Sequence, residues 1–306
     1  MQSKNLAIVP TPEVDQKFDR SVAFSRTLGL VTEAELDQLR GKTVAIAGMG
    51  GVGGIHLLTL TRLGVGGFHI ADMDSFGLEN FNRQAGANVH TIGRQKMEVM
   101  FEMARAINPE LRIKTFSSGV TPENVGAFFD GVDAYVDGLD FFAFPARQMV
   151  FRHCFEKQIP ATTVGPIGMG AALLNFLPGR MSFDEYFQWK PEDTDVDRGV
   201  KFLLGLTPKA PHRKYIVDPS RLNLKERKGP STPMGCELCA GVLGSEVLKI
   251  LLKRGPVLAA PHSIVYDAYQ VKVFHTHLWW GNRNPWQRFK IAMAKRMIQR
   301  QLEQQS

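Results

Sequence analysis

The 306-residue chain holds only three cysteines, Cys154, Cys236 and Cys239. That is too few for the disulfide framework of a small secreted domain. No apolar run approaches the ~20 residues that a bilayer-spanning helix needs. The first twenty residues, MQSKNLAIVPTPEVDQKFDR, mix charges with short apolar patches and lack the apolar core and cleavage site of a secretory signal. No internal repeat and no low-complexity tract is present. These absences lead us to expect a cytoplasmic protein with no membrane partner. The remainder is ordinary for a globular chain: 44% hydrophobic and 22% charged, enough to bury one large core.

The charge is not balanced. The formal net charge is +7, and the excess gathers in two places. One runs from His212, Arg213 and Lys214 through Arg221 to Lys225, Arg227 and Lys228; the other comprises Arg288, Lys290, Lys295, Arg296 and Arg300. Solubility with a phosphate-binding site accounts for such an excess, and so does an RNA or acidic partner.

Hydrophobic patterning predicts alternating strands and helices. Thr32 followed by Glu35 is a capping-box pattern for a short helix over 32–40. Lys42–Gly48 is a β-branched apolar run ending in glycines, a buried parallel strand. A helix comes next over Gly54–Leu63, then a strand over Phe68–Asp72, an amphipathic helix over 95–107 and a strand over 111–117. Thr121 and Pro122 suggest a capped helix over 121–129, and Ala134–Asp137 is a fourth strand. This order implies a Rossmann-like, doubly wound α/β fold with a mainly parallel sheet. We expect a leader and helix over 1–40, a nucleotide-binding half over 41–178, a long irregular crossing over 179–232, and a C-terminal part of the same domain over 233–306. The last should hold an apolar helix over Gly241–Leu252, a strand-like stretch over Ser263–His275 and a basic amphipathic helix at the end. The crossing is too long for a simple connection. With Trp189 and the basic run, it is expected to be a flexible cover that guides a substrate tail to the site.

Gly48-Met49-Gly50-Gly51-Val52-Gly53 matches G-x-G-x-x-G between a predicted strand and a predicted helix. Glycines there permit a tight turn and close approach of phosphate oxygens, and the helix N-terminus offers free N–H groups. Asp72 ends the next strand, where an acid hydrogen-bonds a ribose hydroxyl. The loop alone does not separate NAD from ATP. The residues downstream of Asp72 do separate them: Asp74, then Asn80, Arg83 and Lys96. Two cations beside a phosphate-cradling loop suit a triphosphate attacked by an anionic nucleophile, whose approach must be screened. Asp140, beyond the fourth strand, lies where a carboxylate can hold Mg²⁺ against phosphates.

These motifs give the stretch from Arg20 to about Gly170 a resemblance to the ThiF/MoeB/HesA superfamily, bacterial relatives of ubiquitin-activating enzymes. The glycine loop, Asp72-x-Asp74, Asn80-x-Asn82-Arg83-Gln84, Gly93-x-x-Lys96 and Asp137-x-x-Asp140 carry it, and Glu246 and Lys249 add a fainter match. The resemblance implies an ATP-dependent adenylyltransferase that converts a carboxylate, on a protein or peptide tail, into an acyl-adenylate with release of pyrophosphate. It implies Asp72 on the ribose, Asn80, Arg83 and Lys96 on the phosphates, and Mg²⁺ on Asp140. It also implies a homodimer in which Arg20 reaches the neighbour's ATP. A tRNA-directed relative similar to threonylcarbamoyl-adenosine dehydratase is the competing reading, with an NAD-dependent oxidoreductase and a non-catalytic scaffold behind it.

The chain departs from the family pattern at three points. Phe141 replaces the usual Asn after Asp140, and a Phe-rich insertion over Phe141–Phe144 pushes the usual arginine to Arg147, which suggests a reshaped pocket wall. Many relatives carry two Cys-x-x-Cys pairs; this chain has one, Cys236 and Cys239, at the start of the apolar helix and not at the family's zinc positions, so both read as buried small hydrophobes and no zinc is expected unless His262, His275 or His277 completes a set. No cysteine occurs between Glu156 and Gly235, and Cys154 lies in an apolar helical stretch, so it reads as core.

Overall fold

The computed structural model describes residues 17–218, Arg221 and 229–304. The leader's first sixteen residues and the basic positions Lys225, Arg227 and Lys228 lie outside the described residues.

A short helix α1 (Arg20–Ala23) precedes α2 (Glu33–Gly41). The expected capping box forms at α2: Glu35 N donates to Thr32 Oγ1 at 3.2 Å and Thr32 N donates to the Glu35 carboxylate at 2.8 Å. Then come β1 (Thr43–Ala47), α3 (Gly53–Leu63), β2 (Gly67–Ala71), α4 (Lys96–Ile107), β3 (Arg112–Phe116), α5 (Val125–Phe128) and β4 (Ala134–Asp137). Helix α5 is shorter than expected. Thr121 does not cap it; its backbone N–H donates to Asn124 Oδ1 at 2.8 Å, and this turn closes before the helix starts.

Among the described residues, eight strands form one sheet in the order β3-β2-β1-β4-β5-β6-β7-β8. Strands β1 to β5 pair in parallel, while β6 (Gly170–Phe176), β7 (His262–Asp267) and β8 (Lys272–His277) pair antiparallel from β5 (Ala161–Ile167) outward. The fold is therefore α/β and Rossmann-like, as the pattern implied. The single stretch expected over Ser263–His275 is instead the β7–β8 hairpin, turned where Gln270 N donates to Asp267 Oδ1 at 2.9 Å.

Helices cover both faces. Apolar side chains of α2, α3, α4 and α9 (Pro233–Leu252) fill one side. Those of α5, α6 (Phe144–Glu156), α7 (Phe183–Phe187) and α8 (Asp195–Leu206) fill the other. The crossing is thus not irregular up to residue 206. Both of its helices open on capping boxes, Ser182 with Glu185 and Thr194 with Asp197. Trp189 is buried against Phe144, Phe183 and Phe202, so it is core and not part of a cover. Helix α10 (Pro285–Gln304) closes the described chain and packs on α8 through buried Gln287 and Ile291. Among the described residues no helix is long and apolar enough to cross a membrane.

Candidate nucleotide and metal site

The glycine loop turns where β1 must give way to α3. Gly48 adopts φ +89°, and a β-carbon on Gly53 would stand 1.7 Å from the Gly48 carbonyl oxygen. Only hydrogen fits there, because the loop is folded onto itself and onto Gly138 beyond β4. Gly138 N donates to Ala47 O at 2.9 Å and Gly48 N to Ala71 O at 2.7 Å, tying the loop to its neighbours on either side. The start of α3 supplies the helix N-terminus that favours an anion, with Gly54 N turned back onto Gly50 O at 3.3 Å.

Asp72 is the hinge between this loop and the next. Its Oδ2 accepts from Met49 N at 2.6 Å and its Oδ1 from Asp74 N at 2.7 Å. Burial pushes its carboxyl above the usual range, opposed by those two hydrogen bonds and by Lys96. Lys96, at the first turn of α4, donates to Asp74 Oδ2 at 3.1 Å. Asn80 is buried and accepts from Gly77 N at 3.0 Å, which holds the loop carrying the second cation. Arg83 donates from Nη1 to Glu79 O and to Asn82 Oδ1, both at 2.8 Å. A β-carbon on Gly51 would lie 3.8 Å from Arg83 Nε, so this guanidinium flanks the glycine loop.

Asp140 sits on an exposed turn two residues past Gly138, and its Oδ1 accepts from Phe142 N at 2.9 Å. An exposed carboxylate beside a phosphate cradle, with one oxygen engaged by a backbone amide, has the donor chemistry that Mg²⁺ takes. The predicted set Gly48, Gly50, Gly51, Gly53, Asp72, Asp74, Asn80, Arg83, Lys96 and Asp140 is therefore gathered at the carboxyl ends of β1, β2 and β4. Arg20 is not. Its Nη2 donates to Gly64 O at 2.6 Å and Leu36 O at 3.2 Å, at the far end of α3 from the glycine loop. An 11-residue helix spans ~16 Å, so Arg20 does not serve its own chain's loop.

Two residues to which the sequence reading assigned no role of their own also lie at the site. Gln84 is buried under Gly50, and its Oε1 has no partner among the described residues. Cys236, on the first turns of α9, stands 3.3 Å from where a β-carbon on Gly51 would be. Helix α9 starts at Pro233, ahead of the expected Gly241, and this extension carries the thiol to the loop. Burial pushes the Cys236 thiol up, while Ser231 and Arg83 pull the other way. Cys239 is buried in the core under α9, and Cys154 is buried in α6; burial raises both thiols well above their ordinary value. His262, His275 and His277 form a separate group on the β7–β8 hairpin, where His262 and His277 stack at 4.1 Å. Among the described residues no cluster of three or more metal-ligating side chains occurs.

The Phe-rich insertion folds into the core beneath the site. Phe144 is fully buried, and Phe141 lies 5.4 Å from Phe202 of α8, within an aromatic layer under the Asp140 turn. The end of the crossing returns to the site: Asn82 Nδ2 donates to Ser231 O at 3.0 Å, and Thr232 Oγ1 donates to Gly168 O at 3.0 Å.

The sequence profile of the ThiF family matches residues 24–287. The tRNA threonylcarbamoyladenosine dehydratase of Bacillus subtilis is 33% identical over 150 residues, covering 49% of this chain and 57% of that protein. The probable adenylyltransferase/sulfurtransferase MoeZ of Mycobacterium tuberculosis is 27% identical over 234 residues, covering 76% of this chain and 53% of that protein. The chain thus spans about half the length of these curated relatives. Among solved structures, Escherichia coli MccB with ATP superposes with a TM-score of 0.63 at 18% identity, over 88% of this chain and 72% of that one. PaaA superposes at 0.64 with 17% identity, over 90% and 77%. Identities this low speak for the fold alone.

Proposed function

Since the chain belongs to the ThiF family, we propose that it uses ATP to adenylylate a carboxylate on a protein or peptide tail. The observation that carries this reading is the junction at Asp72. One half-buried carboxylate pins both the glycine loop and the strand end whose next acid holds Lys96. Adenine nucleotide would lie over Gly48–Gly53, with its ribose hydroxyls on Asp72 and its phosphates between Arg83 and Lys96. A carboxylate oxygen of the substrate attacks the α-phosphorus, the bond to the bridging oxygen of the β-phosphate breaks, and pyrophosphate leaves with the electron pair. Arg83 and Lys96 lower the repulsion between the two anions and hold the leaving group in line. Mg²⁺, if held by Asp140, supplies further neutralisation of phosphate charge. The crossing delivers the substrate: its end is tied to Asn82 and Gly168 at the mouth of the site.

ATP–pyrophosphate exchange tests the reading, run with Gly-Gly-terminated small proteins, peptides from neighbouring genes and modified tRNA. Exchange dependent on a carboxylate-bearing peptide or protein supports it. Exchange seen only with modified tRNA selects the second reading, a tRNA-directed enzyme, which the 33% identity to the dehydratase favours. Tighter binding of NAD than of ATP ends both.

The homodimer belongs to the same proposal. Arg20, remote from its own site, would act on the neighbour's. Mixing Arg20→Ala with Asp140→Ala protein should then restore part of the activity, since one hybrid site holds both native residues. No recovery in verified hybrids removes Arg20 from the machinery.

A further inference from the structure

The turn that carries Asp140 is fastened by one side chain. Arg147, on α6, donates from Nη2 to Leu139 O at 2.8 Å and to Asp140 O at 3.0 Å. Its Nη1 donates to Phe141 O at 3.1 Å, and its Nε to Asp137 Oδ2 at 2.8 Å. Three successive carbonyls thus converge on a single guanidinium. Asp137 in turn accepts from Leu139 N at 3.2 Å through its other oxygen. The Arg147–Asp137 pair is almost wholly buried, with side chains 3% and 2% exposed. Phe202 of α8 covers it, with its ring centroid 4.6 Å from the guanidinium carbon.

We propose that Arg147 is a positioning residue for Asp140, and that α8 of the crossing braces it through Phe202. The proposal rests on the adenylylation reading for the identity of the ligand, Mg²⁺ with ATP. An irregular turn offers its carbonyls few backbone partners, here Ala143 N to Asp140 O at 3.0 Å, and carbonyls taken from water need others. A planar guanidinium with five donors in a fixed fork can satisfy three of them and a carboxylate together. A lysine ammonium, with three donors on one nitrogen, cannot span that arc. The low-dielectric cover from Phe202 strengthens these bonds. The result is one conformation of residues 139–141, with the Asp140 carboxylate held where metal and phosphate meet. All four bonds of Arg147 go to its own chain, so the arginine touches no substrate. This also gives the Phe-rich insertion a role: Phe141 and Phe144 extend the aromatic layer that supports the turn.

The test is calorimetric titration of ATP into wild type, Arg147→Lys and Phe202→Leu, each with Mg²⁺ and with chelator, beside thermal melts. Positioning predicts that Arg147→Lys binds ATP like wild type in chelator and loses ~10-fold of the Mg²⁺-dependent gain, the size of outer-sphere losses at metal sites. Phe202→Leu should lose part of the same gain. If Arg147→Lys melts earlier yet keeps the full gain, the arginine is structural only and the proposal fails. If ATP binding weakens equally with and without Mg²⁺, Arg147 acts on the nucleotide and the proposal fails. Should Arg147→Lys not fold, Phe202→Leu decides by the same readout, because it leaves the ion pair in place. Wild type that shows the gain but exchanges pyrophosphate with no carboxylate refutes the adenylylation reading alone. Wild type with no gain refutes this proposal.

Discussion

The ammonium of Lys96 donates to Asp74 at 3.1 Å, the lysine side chain 9% exposed and the aspartate 65%. The cation is held at the mouth of the loop by a partner that remains largely in water. A triphosphate competes for it on better terms than an exposed carboxylate can offer. Lys96→Met should therefore lower pyrophosphate exchange by ~10²-fold or more, and Asp74→Asn far less. Comparable losses in the two variants would show that the pair, and not the lysine, is what the site needs. Arg83→Ala and Asp140→Ala should each fall by ~10²-fold as well, with melting temperatures near that of wild type because both residues sit on loops.

Asp72 gives a pH dependence. Its raised pKa means that the carboxyl is still partly protonated where an ordinary aspartate, near ~3.9, is not. A protonated carboxyl accepts ribose hydroxyls poorly. Affinity for adenosine, which carries no titrating phosphate, should fall on acidification from a pH above that ordinary value. Asp72→Asn should flatten the profile. An unchanged slope in that variant would remove Asp72 from the ribose.

His56 gives one for stability. It is fully buried on α3, neither Nδ1 nor Nε2 has a partner among the described residues, and burial lowers its pKa to about 3. The unfolded imidazole binds a proton below ~6.5, while the folded one stays neutral down to about 3. The unfolded state therefore binds more protons through this window, and stability falls as pH falls, by up to ~1.4 kcal/mol per unit. Melts of His56→Leu between pH 7 and 4 should show a shallower decline; a decline as steep as wild type's would assign it to other groups, His212 among them.

Two glycine substitutions should act with opposite sign. Gly53→Ala places a methyl 1.7 Å from the Gly48 carbonyl and should cost ~3 kcal/mol or more together with nucleotide binding. Gly241→Ala, within α9 and with nothing inside 4 Å of the new carbon, should stabilise by ~0.5–1 kcal/mol. Denaturant titration of both checks the contrast.

Much of this was legible in the chain itself. The strands β1 to β4 and the site residues on their carboxyl ends are local signals: period, glycines and acids at fixed offsets. What failed was partly local and partly not. The capping pairs Ser182–Glu185 and Thr194–Asp197 were as readable as Thr32–Glu35, but charge and proline around them masked two short helices. Strands β5 and β6 pass directly from one to the other through a tight turn, and nothing in their apolar run separates strand from helix. Cys236 reads as core until α9 is extended back to Pro233, and its contact with Gly51 joins residues far apart in sequence.

Helix α9 has a consequence for how the chain is made. It lies against α3 and β5 and shares one apolar cluster with Val44, Ile46 and Leu57. Those residues are translated some two hundred positions before Leu243 and Val247, which cover them. A nascent chain ending near residue 178 would leave the part of this face that α9 covers, over β5, β6 and one side of α3, open to solvent. We therefore expect the nucleotide half not to fold alone, because part of its apolar face awaits α9. Ribosome-bound intermediates of intermediate length should be sticky, chaperone-dependent species. Fragments cut at the start of the crossing should aggregate, whereas co-expressed fragments 1–178 and 179–306 have the means to complete each other.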